Sequence, residues 1–226
     1  MQNIFYAAMC CGLALGSVAH ADDFEGAYVA LGIGSGGITD SQTNYNTVDG
    51  GYPSGVPNGW TALLSDRGGI AAIAGGYTWQ VAGFLVGVEG RLDRRRFDVT
   101  SFELYEGAPE TLFTTRYVSE TSRQVSVRFG KQIKPNYMAY FKVGRAWSEY
   151  TRTYQGALED VTFGTDMGNV FGVGMEFAWT EDWNVNVDVS RMVYDRSIAT
   201  LTNVYEEDAA HDVRENTFTL MVVKRF

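Results

Sequence analysis

His211 is the only histidine in residues 22–226, and it stands among Glu206, Glu207, Asp208 and Asp212. A ring beside a carboxylate is the pairing that general acid–base catalysis uses. Nucleophilic chemistry needs more. It requires a hydroxyl or thiol within reach of the ring and a third group that orients it, all at fixed positions. This run offers carboxylates without such a framework. It could gather a divalent cation, yet the ligand spacing of a calcium-binding loop is missing. The favoured reading is a solvated acidic loop, with no catalytic residue, no metal ligand and no cofactor.

Two other sets of charges are spaced more informatively. Glu89, Arg91, Asp93, Arg128, Lys142, Glu176 and Asp188 carry both signs and alternate with apolar residues along the chain. Arg94, Arg96, Arg123, Arg145 and Arg191 fall in the opposite register, in step with Phe84, Phe129, Tyr137 and Trp183. Separating the two sets requires elements of period two, so the next question is where the β-strands lie.

The last nine residues show the period most plainly. Phe218, Leu220, Val222, Lys224 and Phe226 fall on one face; Thr219, Met221, Val223 and Arg225 fall on the other. A soluble domain ending this way would expose an apolar strand edge. In an outer-membrane barrel the last strand pairs with the first and no edge remains. Seven earlier segments alternate similarly: Phe24–Gly36, Arg67–Trp79, one starting at Phe84, one ending near Ile133, Tyr137 to about Thr151, one ending at Trp179, and one starting at Trp183. The connections alternate too. Long loops are expected at 37–66, 101–114, 154–164 and 200–212, with short turns at 80–83, 134–136 and 180–182. That is the asymmetry of short periplasmic turns and longer external loops. Trp79, Phe84, Tyr137, Trp179, Trp183 and Phe226 gather beside the short turns as an aromatic girdle. The predicted fold is all-β: an eight-stranded antiparallel up-and-down transmembrane β-barrel formed by residues 22–226.

Composition agrees. The chain is 14% aromatic with 26 glycines and only 4 prolines, which suits many strands. Residues 1–21 read as a secretory signal: Ile4–Val18 is nearly all apolar, and Ala19-His20-Ala21 supplies the cleavage pattern. Cleavage near Ala21 removes Cys10 and Cys11, leaving no thiol or disulfide chemistry. No later apolar run reaches the length of a membrane helix. A net charge of −9 argues against a nucleic-acid partner.

A soluble sandwich also alternates, but its outer face carries mostly solvated charge. Here the non-apolar face is glycine-rich, with few mid-strand charges, and those of both signs. An eight-stranded barrel is just wide enough for side chains to fill, and buried charges there must pair. Glu89, Arg91, Asp93, Arg128, Lys142, Glu176 and Asp188 are therefore expected in the lumen. They would form either a plug, which is favoured, or the gate of a narrow small-solute pore.

The segment Gly172-Val-Gly-Met-Glu-Phe-Ala-Trp-Thr-Glu-Asp-Trp183, followed by Asp188, resembles the sixth-to-seventh-strand hairpin of the small opacity-type porin-like family, relatives of the membrane domain of outer-membrane protein A. The Gly26-Ala-Tyr-Val29 opening and the terminal Phe226 match as well. Lys224 stands where the family usually has an aromatic, and Ser190 where it often has a lumenal Arg. The resemblance implies insertion by the barrel-assembly machinery through the last strand, with Phe218, Leu220, Val222 and Phe226 as the signal. Barrel-type lipid A deacylases have a Ser two residues after their His, and here that position is Val213. The omptin proteases use Asp residues and a His at the outer rim, which Asp195, Asp208 and Asp212 could imitate. An enzyme acting on lipid or peptide is thus the remote alternative. The expected protein is a non-enzymatic, monomeric outer-membrane barrel of a Gram-negative bacterium, acting in envelope integrity or in contact with a host or surface ligand through its loops.

The arginines Arg94, Arg96, Arg123, Arg145 and Arg191 lie 6 to 12 residues along their strands from the girdle. At about 3.3 Å per residue and a tilt near 40°, most rise roughly 20 to 30 Å, the outer edge of the apolar band. They are candidate contacts for lipopolysaccharide phosphates. Arg123 has the lowest height, and a bulge would turn it inward.

Overall fold

The computed structural model describes residues 24–46, 61–104, 111–155, 159–201 and 207–226. Residues 1–21, expected to be a signal, and Glu206 lie outside the described residues. The strands are β1 (Gly26–Asn46), β2 (Thr61–Val81), β3 (Phe84–Leu104), β4 (Thr111–Lys134), β5 (Tyr137–Gln155), β6 (Glu159–Ala178), β7 (Trp183–Tyr194), β8 (Ser197–Leu201) and β9 (Glu207–Arg225). Each pairs antiparallel with its neighbour, and β1 pairs with β9 from Tyr28–Arg225 to Asn46–Glu207, closing the sheet. β7 and β8 both lie along β9. They are two halves of one stave, so the barrel has eight staves.

Alternation produces this wall directly. Along β9, Phe218, Leu220, Val222 and Phe226 are exposed on the outer face, while Thr219, Met221, Val223 and Arg225 are buried inside. Ala82 and Gly83 both have positive φ, which gives the β2–β3 hairpin the two-residue turn that suits the strand twist. Tyrosines pack inside across glycines on the adjoining strand: Tyr28 is registered with Gly76 and Tyr140 with Gly174. The missing side chain makes room for each ring.

The strands are longer than the sequence pattern indicates. A tilted strand crosses a membrane in about 9 to 11 residues, yet β1 to β6 run 19 to 24. The described parts of the loops expected at 37–66, 101–114, 154–164 and 200–212 are strand. Above the apolar band the outer face meets water rather than lipid, so the outward apolar residues that mark period two disappear while backbone pairing continues.

Candidate functional site

The interior of the barrel holds eight charged side chains in one chain of alternating sign. Arg225, at the end of β9, sets Nη2 and Nε at 2.6 and 3.0 Å from Glu176 Oε1 on β6. The other oxygen of Glu176 lies 3.2 Å from Arg128 Nη2 on β4. Arg128 Nη1 lies 3.4 Å from Glu89 on β3. Lys142 on β5 joins Glu89 at 3.6 Å to Asp188 on β7 at 3.0 Å. Arg91 on β3 then contacts Asp188 at 3.6 Å and Asp93 at 2.7 Å. All eight are buried. Four positive and four negative groups make the array electroneutral, which is the condition for burying charge without stranding any of it.

Neutral groups hold the array in place. Tyr28 donates its hydroxyl to Glu89 at 2.8 Å and accepts from Arg128 at 2.9 Å. Tyr140 donates to Asp188 at 2.9 Å, and its ring lies 3.8 Å from the Arg128 guanidinium carbon. Asn184 donates to Glu176, Gln124 to Asp93 and Ser190 to Asp188. Phe24, Leu85, Met138, Tyr140 and Ala178 close the periplasmic end.

Above the network the interior turns apolar, with Ile38, Ile70, Phe97, Val170, Met192 and Val213 in one cluster. Arg95 and Glu215 pair there, and Tyr194 donates to Glu215 at 3.0 Å. Higher still, Arg152 meets Asp166 at 3.2 Å. Burial pushes the Asp166 carboxyl above its usual range, against the pull of Arg152. His211 is fully buried, with Nδ1 2.8 Å from Asp40 Oδ2. The expectation of a solvated loop at His211 is therefore corrected: the residue lies within β9 and faces the lumen. Asp195 points outward to Arg145, and Asp212 occupies the opposite face of β9 from His211. The two carboxylates and the ring do not converge, and among the described residues no His, Cys, Asp and Glu group could hold a metal.

Arg94, Arg96, Arg123, Arg145 and Arg191 all lie on the outer face, just beyond the last exposed apolar residues Leu92, Val125, Val143 and Val189. The β4 bulge falls between Ser119 and Thr121, above Arg123, and leaves it outward. Three of the five are already paired: Arg94 with Glu120 at 2.9 Å, Arg123 with Glu149 at 2.6 Å, and Arg145 with Asp195 at 3.1 Å. Further up, Arg116 holds Asp98 through two bonds of 2.7 and 2.6 Å, which keeps that carboxyl below its usual range. At the opposite rim Lys224 contacts Asp182 at 2.6 Å and lies over the Trp183 ring.

A closed barrel with an apolar exterior, an aromatic girdle and a paired polar lumen is the arrangement of an outer-membrane protein. The family described as outer membrane protein beta-barrel domain matches residues 7–226. The chain belongs to this family. No curated protein matches it in sequence. Among solved structures it is similar to OprG of Pseudomonas aeruginosa, with a TM-score of 0.58 and 11% identity over 91% of this chain and 98% of that one. It is also similar to the outer membrane protease OmpT of Escherichia coli, with a TM-score of 0.54 and 8% identity over 93% and 99%. Against Ail, the attachment invasion locus protein of Yersinia pestis, the TM-score is 0.44 with 13% identity over 89% and 99%. At these identities the likeness is one of fold. The functions of those proteins do not transfer with it.

Sequence reasoning missed several interior residues. Arg225, Arg95, Glu215, Arg152, Asp166 and Asp40, the partner of His211, are not among the charges it assigns to the lumen. Each sits one residue from an outward-facing neighbour, so strand register alone identifies it once the strand is known to extend that far.

Proposed function

We propose that this protein is a non-enzymatic, closed barrel of the Gram-negative outer membrane that works through its surface-projecting strand ends and loops, in envelope integrity or in contact with a surface ligand. The observation that carries this reading is the eight-charge chain from Arg225 to Asp93. It joins β3, β4, β5, β6, β7 and β9 across the lumen and leaves each carboxylate of the chain with a cation. Opening a water path would require several of these pairs to part together. The wall extends past the membrane band as ladders such as Thr114–Gln155 and Tyr154–Asp160, which carry the strand ends away from the bilayer.

In this account residues 1–21 are a cleaved signal, and Phe218, Leu220, Val222 and Phe226 present the lipid-facing pattern read during assembly of a monomer. The test is swelling of proteoliposomes in small neutral sugars. Closed barrels leave swelling at the protein-free rate, and a rate that rises with protein content and falls with sugar size would refute the proposal.

A further inference from the structure

The outer rim is not uniform. From β3 through β5, Arg94, Arg123 and Arg145 are neutralised in place by Glu120, Glu149 and Asp195, while Arg96 is exposed and makes no ion pair or hydrogen bond among the described residues. The wall from β7 through β9 and β1 to β2 differs. There Arg191 is registered with Asn216, Asn216 with Gly37, and Gly37 with Arg67. These four residues form one straight row across four adjacent strands. Neighbouring strands lie about 4.8 Å apart, so the backbones of Arg191 and Arg67 are separated by about 14 Å.

Both arginines are exposed, and neither forms an ion pair or hydrogen bond among the described residues. The surrounding carboxylates are engaged or sit further out. Asp98, whose amide bonds Asp66 beside Arg67, has both oxygens on Arg116. Asp195 is held by Arg145. Asp212 lies four residues beyond Asn216 along β9, with exposed Arg214 between them. Gly37 gives the row an opening between its two cations.

Directly below, the exterior becomes apolar. The next outward row is Val189, Phe218, Ser35 and Gly69, and the one after it Val187, Leu220, Ile33 and Ala71. Because the strands tilt by about 40°, the row climbs roughly 9 Å from Arg191 to Arg67, starting where the lipid headgroups of the outer leaflet begin and rising through that layer, with a surface for acyl chains beneath.

We infer that Arg191, Asn216, Gly37 and Arg67 form a binding site for a bisphosphorylated glycolipid headgroup of the outer leaflet, with one phosphate at each arginine and the sugar across Gly37. Guanidinium groups bind phosphate through paired hydrogen bonds. Two of them separated by a side-chain-free gap suit two phosphates at the ends of a disaccharide better than a single phosphate. Arg214, one step above, adds positive potential on the same side. This inference rests on the membrane orientation used above but not on the lumen being closed.

The experiment is retention of lipid A by the refolded full-length protein in detergent, measured by native mass spectrometry, with folding checked by heat-shifted gel mobility. Arg67→Gln combined with Arg191→Gln is expected to lower retention at least tenfold. Gly37→Asp is a second variant that keeps both arginines. A Cβ at Gly37 meets its nearest atoms at 3.5 and 3.7 Å, ordinary contact distances, so folding is preserved while the phosphates are repelled. Lys131→Gln removes an exposed cation near the opposite end of the barrel, beside Phe84, and should leave retention unchanged. Lipid A stripped of both phosphates should not be retained, and inorganic phosphate at the same concentration should not displace the intact lipid. Equal loss in the Lys131→Gln control, unchanged retention in both site variants, or displacement by inorganic phosphate would each overturn the assignment.

Discussion

Arg225 and Glu176 join the two ends of the barrel sheet's history: the penultimate residue of the chain reaches across the lumen to β6 and places two nitrogens on one carboxylate oxygen, at 2.6 and 3.0 Å. Its third nitrogen, Nη1, donates to the carbonyl of Phe24 at 2.6 Å, just before β1. One side chain therefore ties β9 to β6 and to the start of the first strand. Glu176 in turn is shared between Arg225 and Arg128.

This sharing ranks the substitutions. Glu176→Gln leaves two guanidiniums short of a partner, whereas after Arg225→Met the carboxylate keeps Arg128. Glu176→Gln is expected to cost about 3 kcal/mol and Arg225→Met about 2 kcal/mol, within the range for breaking buried pairs from one side. Urea midpoints of the refolded protein measure both. Equal midpoints for the wild type and both variants would mean that water already solvates the lumen.

The glycines opposite tyrosines give a second contrast. A Cβ on Gly174 would overlap the Tyr140 ring carbon Cζ and its hydroxyl oxygen, whereas one on Gly69 meets nothing within 4 Å. Gly174→Ala should cost about 2 kcal/mol through forced displacement of the ring, and Gly69→Ala should leave the urea midpoint unchanged.

Asp98 offers a titration test outside the membrane band. Its two bonds from Arg116 hold the carboxylate form, so its midpoint in the folded protein lies below the ordinary Asp value. A depressed carboxylate pKa contributes stability that is present above the unfolded value and is lost as pH falls through the folded one. Both partners are exposed, so the effect on global stability is small. NMR titration should find the midpoint low in the wild type and restored to the ordinary value in Arg116→Gln.

The last strand should govern assembly. Phe226 donates its amide to the Ala27 carbonyl at 3.0 Å, part of the closure between β9 and β1. Deleting Phe226 should lower the amount of folded barrel recovered from outer membranes, and Lys224→Tyr should raise it by restoring an aromatic at the lipid interface. Quantified heat-modifiable protein checks both.

Legibility followed the physics of each region. Between the girdle and the rim one face meets lipid, so Phe84 to Leu92 or Phe218 to Phe226 betray their register through apolar spacing alone. Beyond the rim that contrast is gone. The stretch Thr39–Asn46 is polar throughout, with Asp40 buried beside His211 and Thr43 still paired in the wall, and nothing in its residue types distinguishes it from a loop. His211 was obscured for the same reason, by the acidic residues just before it. Arg225 was legible in principle: it shares a face with Thr219, Met221 and Val223, all lumenal. Its partner was not, because Glu176 is 49 residues away and the pairing depends on barrel closure.

The central claim is that the interior is closed by paired charge. Planar-bilayer recording of the refolded wild-type protein tests it most directly. The account predicts a silent membrane at high salt and moderate voltage, because each charge in the Arg225-to-Asp93 chain is held by a neighbour of opposite sign. Reproducible unit conductance steps that scale with salt concentration would contradict it.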